Sequence, residues 1–204
     1  MRALTLTVLL AASLLAGCAT PARKVVIRAQ RFDLGPPPES VPVRSVPGTR
    51  LPVLKIATVE SPADLASDEI RYRLRYSATP EANAYAHSRW TMTPAQLLTA
   101  RLRDVLAARF TVLGGGDPVK APLLSVQISE FSQWFDAPRE SRGVVQLRAS
   151  LIDDRHVVAQ RAFSASAPAP SADAAGGVAA LTQASDRAFA EMADWLAGQP
   201  GMHP

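Results

Sequence analysis

"GVVQLRASLIDDRHVVAQRAFS", residues 143–164, decides the fold class. Residues 143–153 alternate apolar and polar side chains, the period of a strand wetted on one face. Residues 156–164 form a second strand, and only Asp154-Arg155 separates the two. A two-residue connection between such runs predicts a tight β-hairpin, so the strands are antiparallel. Pro168 and Pro170 mark where the second one stops.

Working outward, residues 123–134 form another long alternating strand before this hairpin. In EIRYRLRY, residues 69–76, Ile70, Tyr72, Leu74 and Tyr76 point one way while Arg71, Arg73 and Arg75 point the other. Residues 83–90 are a candidate hairpin partner for it. Residues 51–60 read as a strand ended by Ser61-Pro62, residues 25–34 as a strand stopped by Gly35-Pro36-Pro37-Pro38, and residues 110–113 as a short strand. Five prolines and two glycines over 35–50 predict a loop without helix.

Two helices are predicted. Thr93 caps the first and Pro94 takes its first position, where a missing N–H costs nothing. Leu97, Leu98, Leu102, Val105 and Leu106 then make a stripe running to about Arg109. The second carries Val178, Leu181, Ala184, Ala188, Phe189, Met192, Trp195 and Leu196 as one stripe and stops at Gly198 and Pro200. Strands, helix, strands, helix gives an α+β fold: a mostly antiparallel sheet with two helices packed on one face.

The amino-terminal end sets the compartment. Arg2 precedes an apolar run from Leu4 to Leu15, about as long as a signal-peptide core and short of the ~20 residues that span a bilayer. Ala16, Gly17 and then Cys18, the only cysteine in the chain, follow. Leu15-Ala16-Gly17-Cys18 resembles the lipobox of bacterial lipoproteins; an ordinary secretory signal with an incidental cysteine is the alternative. The resemblance implies that residues 1–17 are removed and Cys18 is lipidated, with palmitate among its acyl chains. Two or more chains hold a protein firmly on a membrane. Ala19, where retained enterobacterial lipoproteins usually carry aspartate, implies sorting to the outer membrane, facing the periplasm. Residues 18–24 then form a lipidated tether, 25–198 a single domain and 199–204 a disordered tail.

The full chain carries a net charge of +4, and losing Arg2 leaves +3. These charges are scattered, and an exported chain meets no nucleic acid, so none is expected as partner.

Catalytic constellations are thin. The histidines are His87, His156 and His203, and no Gly-x-Ser-x-Gly, His-Glu-x-x-His or phosphate-loop motif occurs. Asp153-Asp154-x-His156 is turn chemistry before it is a metal site. Gly114 to Gly116 follow a helix that they terminate. Gly176-Gly177 offers either an anion site or a tight entry to a close-packed helix. No catalytic residue, metal or cofactor is therefore expected, and the chain is not expected to be an enzyme. Two features remain as candidate sites for a partner or a lipid headgroup. One is the ladder Arg71, Arg73, Arg75, whose guanidinium groups suit carboxylates or phosphates, with a solvated face as the plain alternative. The other is Trp134 and Phe135, which with Phe131 adjoin a loop at 136–142 and form either an apolar rim or core.

Taken in order, Arg31-Phe32-Asp33-Leu34-Gly35-Pro36, Ile70-x-Tyr72-Arg73, Tyr76, Tyr85 and Arg89-Trp90-x-x-x-Pro94 resemble the ABC-type transport auxiliary lipoproteins, the PqiC-like family. Leu124-x-Val126-x-Ile128-x-x-Phe131 and Gly176-Gly177-Val178-x-x-Leu181 continue the pattern. The resemblance implies an auxiliary part in an MCE-type ABC transport system that moves phospholipid or other hydrophobic molecules between inner and outer membranes. Its partners would be an MCE-domain periplasmic subunit with its ABC transporter and outer-membrane lipid through the acyl chains, with a homo-oligomer of further copies as an open option. An envelope scaffold lipoprotein that binds no lipid, pilotin-like or TolB-N-terminal-like, is the other reading. Cys18→Ala is expected to abolish incorporation of labelled palmitate; persistent labelling would sink the lipobox reading.

Overall fold

A computed structural model describes residues 28–37, 50–79 and 81–202. The expected signal sequence at 1–17, Cys18 and the expected tether, residues 25–27, most of the proline-rich 35–50 segment and residues 203–204 lie outside the described residues. The strands are β1 (Gln30–Phe32), β2 (Val53–Ile56), β3 (Glu69–Leu74), β4 (Glu81–Trp90), β5 (Thr111–Gly114), β6 (Leu123–Ala137), β7 (Glu140–Asp153) and β8 (His156–Pro168). The helices are α1 (Pro94–Ala107) and α2 (Ala174–Ala197), and Ala63–Leu65 adds one 3-10 turn.

All eight strands join one sheet around β6. On one edge, β6 pairs antiparallel with β7, which pairs antiparallel with β8. Its other edge is divided. β2 lies parallel to the first part, with Lys55 opposite Leu123, and β3 lies parallel to the second, with Tyr72 opposite Gln133. β5 flanks β2 in parallel, while β4 pairs antiparallel with β3 and parallel with β1. The expected α+β fold is present, and the longest pairings are antiparallel. The short parallel seams were not legible from hairpin spacing. Parallel strands need a crossover connection, and the chain between β2 and β5 supplies one that carries α1.

Local chemistry explains the elements. Asp154 and Arg155 take φ of 45° and 67°, the left-handed region a two-residue hairpin of this twist requires. Gln96 N donates to Thr93 Oγ1 at 3.4 Å and Thr93 N donates to Gln96 Oε1 at 3.1 Å, a reciprocal cap for α1. At α2, Gly176 N donates to Asp173 Oδ1 at 2.8 Å and Ser171 Oγ donates to it at 2.7 Å. These bonds, the backbone one first, hold the Asp173 carboxyl below the ordinary carboxylate range.

Two expectations change. The loop at 136–142 shrinks to a turn at Pro138-Arg139, because Phe135 pairs with Ser141 and Ala137 with Glu140, extending both strands. In the expected tail, Met202 N donates to Gln199 O at 3.1 Å and the Met202 side chain is buried in the core.

Apolar positions of β6, β7 and β8 form the sheet side of the core, including Leu124, Val126, Phe131, Val145, Leu147, Leu151 and Phe163. α2 covers them with Val178, Leu181, Ala184, Ala188, Phe189 and Met192. The helix comes close because glycine meets it on both sides of the contact. A Cβ at Gly143 would stand 2.5 Å from Ala180 C and Leu181 N, and one at Gly177 would run into Gln133 Oε1. The tight-packing reading of Gly176-Gly177 thus has a physical cause. α1 is tied alongside by Arg101, 4% exposed, whose Nε and Nη2 donate to Asp186 at 2.7 and 2.8 Å and whose Nη1 donates to Gly35 O at 3.0 Å. Such a bidentate pair joins two helices with defined geometry.

Gly143→Ala is expected to lower unfolding free energy by about 1–3 kcal/mol in urea titration, since backbone rather than a flexible side chain must yield. An unchanged midpoint would mean α2 does not sit this close.

Candidate functional site

On β6 and β7, Gln133 and Gly143 face α2, so their neighbours Trp134 and Arg142 point to the sheet face that carries no helix. Arg73 lies opposite Trp134 across the parallel seam, and Arg142 lies opposite it on the other side. These strands enclose an open groove of about 450 Å3, lined by Arg73, Leu74, Arg75, Ser77, Glu81, Glu130 and Trp134.

A chain of hydrogen bonds shapes the groove. Arg73 Nε donates to Glu130 Oε2 at 2.9 Å, and Phe131 N and Ser132 Oγ donate to Glu130 Oε1 at 3.0 and 2.7 Å. Trp134 Nε1 donates to Ser132 Oγ at 3.0 Å. Glu130 and Ser132 are buried, so each polar atom needs these partners. The Arg75 and Arg142 guanidinium carbons lie 4.8 and 5.2 Å from the centre of the Trp134 ring. Cation–π contacts of this kind contribute about 0.5–1 kcal/mol at exposed sites. Asp136 sits between the two arginines, 2.9 Å from Arg142 Nε and 3.9 Å from Arg75 Nη1. The result is an indole wall edged by arginines, suited to an ionic and aromatic contact.

Behind Trp134, on the helix side, Tyr85 Oη donates to the fully buried Gln133 Oε1 at 2.8 Å, and Gln133 Nε2 donates to Ser141 Oγ at 2.8 Å. Burial first, then the Asp173 carboxylate and Tyr72, push the Tyr85 phenol above its ordinary range. It therefore stays a donor and fixes the amide beneath α2.

The site residues read from sequence separate. Arg73, Arg75 and Trp134 come together in the groove. Arg71 Nη2 donates to Glu69 at 3.3 Å instead, and Arg71 does not line it. Phe135 is buried and meets Tyr72 edge-on at 5.8 Å, so it belongs to the core and forms no apolar rim. Cys18 lies outside the described residues. Glu130, Ser132, Asp136 and Arg142 went unread. Their signal was present as every second residue from 130 to 136, but a register shift between Ile128 and Glu130 changes which set faces outward. At the β7–β8 turn, His156 Nδ1 lies 2.9 Å from Asp154 O, as turn chemistry. Among the described residues no three His, Cys, Asp or Glu side chains are grouped to hold a metal ion, and no helix is long and apolar enough to cross a membrane.

The family model described as the ABC-type transport auxiliary lipoprotein component matches residues 32–193. Among solved structures, protein XCC0632 from Xanthomonas campestris is similar at 20% identity and a TM-score of 0.62, covering 82% of this chain and 91% of that one. An uncharacterized protein is similar at 16% identity and a TM-score of 0.64, covering 82% of this chain and 98% of that one. At these identities the two structures speak to the fold. No curated protein matches.

Ser132→Ala removes the acceptor of the Trp134 indole. It is expected to cost about 1–2 kcal/mol and to shift tryptophan emission with far-ultraviolet dichroism unchanged. Emission identical to wild type would show that Trp134 is not held through Ser132.

Proposed function

Because the chain belongs to the ABC-type transport auxiliary lipoprotein component family, we propose that it serves an MCE-type ABC transport system from the outer membrane. In this reading residues 1–17 are removed, Cys18 carries the acyl chains, 18–24 tether the molecule, and 25–198 act in the periplasm. The match over residues 32–193 carries the proposal, since it spans every strand but the start of β1 and reaches well into α2.

The arginine–tryptophan groove is the surface offered to the transport machinery or its cargo. Arg73, Arg75 and Arg142 provide planar donors that pair in bidentate fashion with carboxylate or phosphate. Trp134 provides an amphipathic wall of the kind that sits between apolar and wet surroundings. The ionic partners they already hold, Glu130 and Asp136, can exchange for those of an incoming headgroup or protein. The cargo in this proposal is a phospholipid or another hydrophobic molecule, handled without a chemical step.

Affinity capture of the acylated full chain from detergent-solubilised envelopes tests this. The MCE-domain subunit and the ABC transporter are expected to co-purify, with phospholipid in the organic extract. Capture of an envelope protein without lipid would favour the scaffold reading, and recovery of neither transport subunit from membranes containing both would refute the proposal.

A further inference from the structure

Strand direction and tether length together orient the domain on its membrane. β1 runs parallel to β4, with Arg31 opposite Arg89, and Arg89 lies opposite Glu69 at the start of β3. β3 in turn places Leu74 opposite Phe135 of β6. Following these registers through the shift between Glu69 and Arg71, Arg28 stands level with about Phe131, and β1 read toward its amino-terminal end points to the end of the sheet where β3 meets β4 and β6 meets β7. At ~3.3 Å per residue that end is about 25 Å away, whereas the Asp154–Arg155 turn at the opposite end is about 35 Å away.

Ten residue steps separate Cys18 from Arg28. Fully extended they reach at most about 35 Å. The anchor therefore reaches the near end with slack, and the far end only at the limit of full extension. This matters because the far end carries exposed Val157 and Val158, which composition alone would have nominated for a membrane.

The near end has side chains suited to headgroups. Tyr76 is 49% exposed in the β3–β4 turn, Arg75 is exposed beside it, and Arg139 is exposed in the β6–β7 turn. Trp134, with Arg75 and Arg142 over its ring, lies a few residues behind. Arginine reaching out beside tyrosine and tryptophan is the pattern of a membrane–water interface. Arg23 and Lys24 in the tether add attraction to anionic lipid close to the anchor.

We propose that the sheet end formed by the β3–β4 and β6–β7 turns rests on the phospholipid headgroups of the membrane that holds Cys18, with Arg75, Tyr76 and Arg139 as its contacts and the Arg73–Trp134 groove opening beside the surface. The inference rests on acylation at Cys18 and not on the identity of the transporter. A headgroup leaving or entering the bilayer then meets the groove first, and the Asp154–Arg155 turn projects away from the membrane.

The test exploits the single cysteine. Once Cys18 is acylated, Ala78→Cys and Val157→Cys each offer one reactive thiol, at the near and far ends respectively. Each acylated full-length variant is labelled with an environment-sensitive fluorophore. It is then reconstituted in vesicles of phosphatidylethanolamine and phosphatidylglycerol, with and without a headgroup-attached nitroxide quencher. Loss of fluorescence at position 78 and none at 157 is expected, and adding Arg75→Glu with Arg139→Glu should relieve the quenching while the protein still floats with the vesicles. Flotation with neither position quenched, or with 157 quenched instead, overturns the orientation and leaves the transport reading standing. Quenching unaffected by the double charge reversal overturns the named contacts. Failure to float with Cys18 intact overturns the anchor and the orientation together.

Discussion

The architecture depends on the approach of α2 to the sheet at two glycines: at Gly143 the helix backbone meets the strand directly, and at Gly177 only the Gln133 side chain lies between them. A methyl group at Gly143 would stand 2.5 Å from Ala180 C and Leu181 N, so glycine permits the contact and larger residues oppose it. The contact sets the depth at which the helix stripe enters the sheet, and Leu181, Ala184, Ala188 and Phe189 are each almost wholly buried as a result. Close-packed interiors do not absorb an extra carbon without moving something. The buried Gln133 amide, satisfied by Tyr85 and Ser141, fills the polar gap left beside Gly177.

Because α2 and α1 occupy one face, β6 and β7 present their alternate residues to the other. Glu130, Ser132 and Trp134 share that face, and hydrogen bonds along it hold the indole in place. Arg73 and Arg75 arrive from β3, which reaches β6 only because the second part of its edge is left free by β2. The divided edge of β6 thus builds the groove: one long strand accepts two shorter parallel ones, and the groove forms over the second. A rigid helical seat behind and a charged aromatic wall in front suit a molecule that positions others.

Much of this was legible in sequence, and the failures have causes. The β7–β8 hairpin was readable from Asp154-Arg155 because loop length restricts turn geometry, and both residues do take positive φ. Thr93-Pro94 announced α1, since capping is local. Pairing across the divided edge of β6 was not readable, because parallel partners distant in sequence leave no periodic signature. In sequence Phe135 reads as rim or core alike, because its neighbour Trp134 shares the apolar run. The pleat sends the two to opposite faces, one to Tyr72 and one to the arginines. Arg73 was noticed, but its partner Glu130 follows a register shift that hides the alternation. The family resemblance was legible because it rests on order over most of the chain, and the match over residues 32–193 agrees with it.

The central proposal is a tethered domain that keeps its arginine–tryptophan groove at the lipid surface while serving a transporter. Photocrosslinking in intact envelopes addresses this most directly, with a photoreactive residue placed in turn at Ser77, beside the groove, and at Val158, at the far hairpin. The account predicts a phospholipid adduct from position 77 and none from position 158. A lipid adduct from 158 in the absence of one from 77 would contradict it.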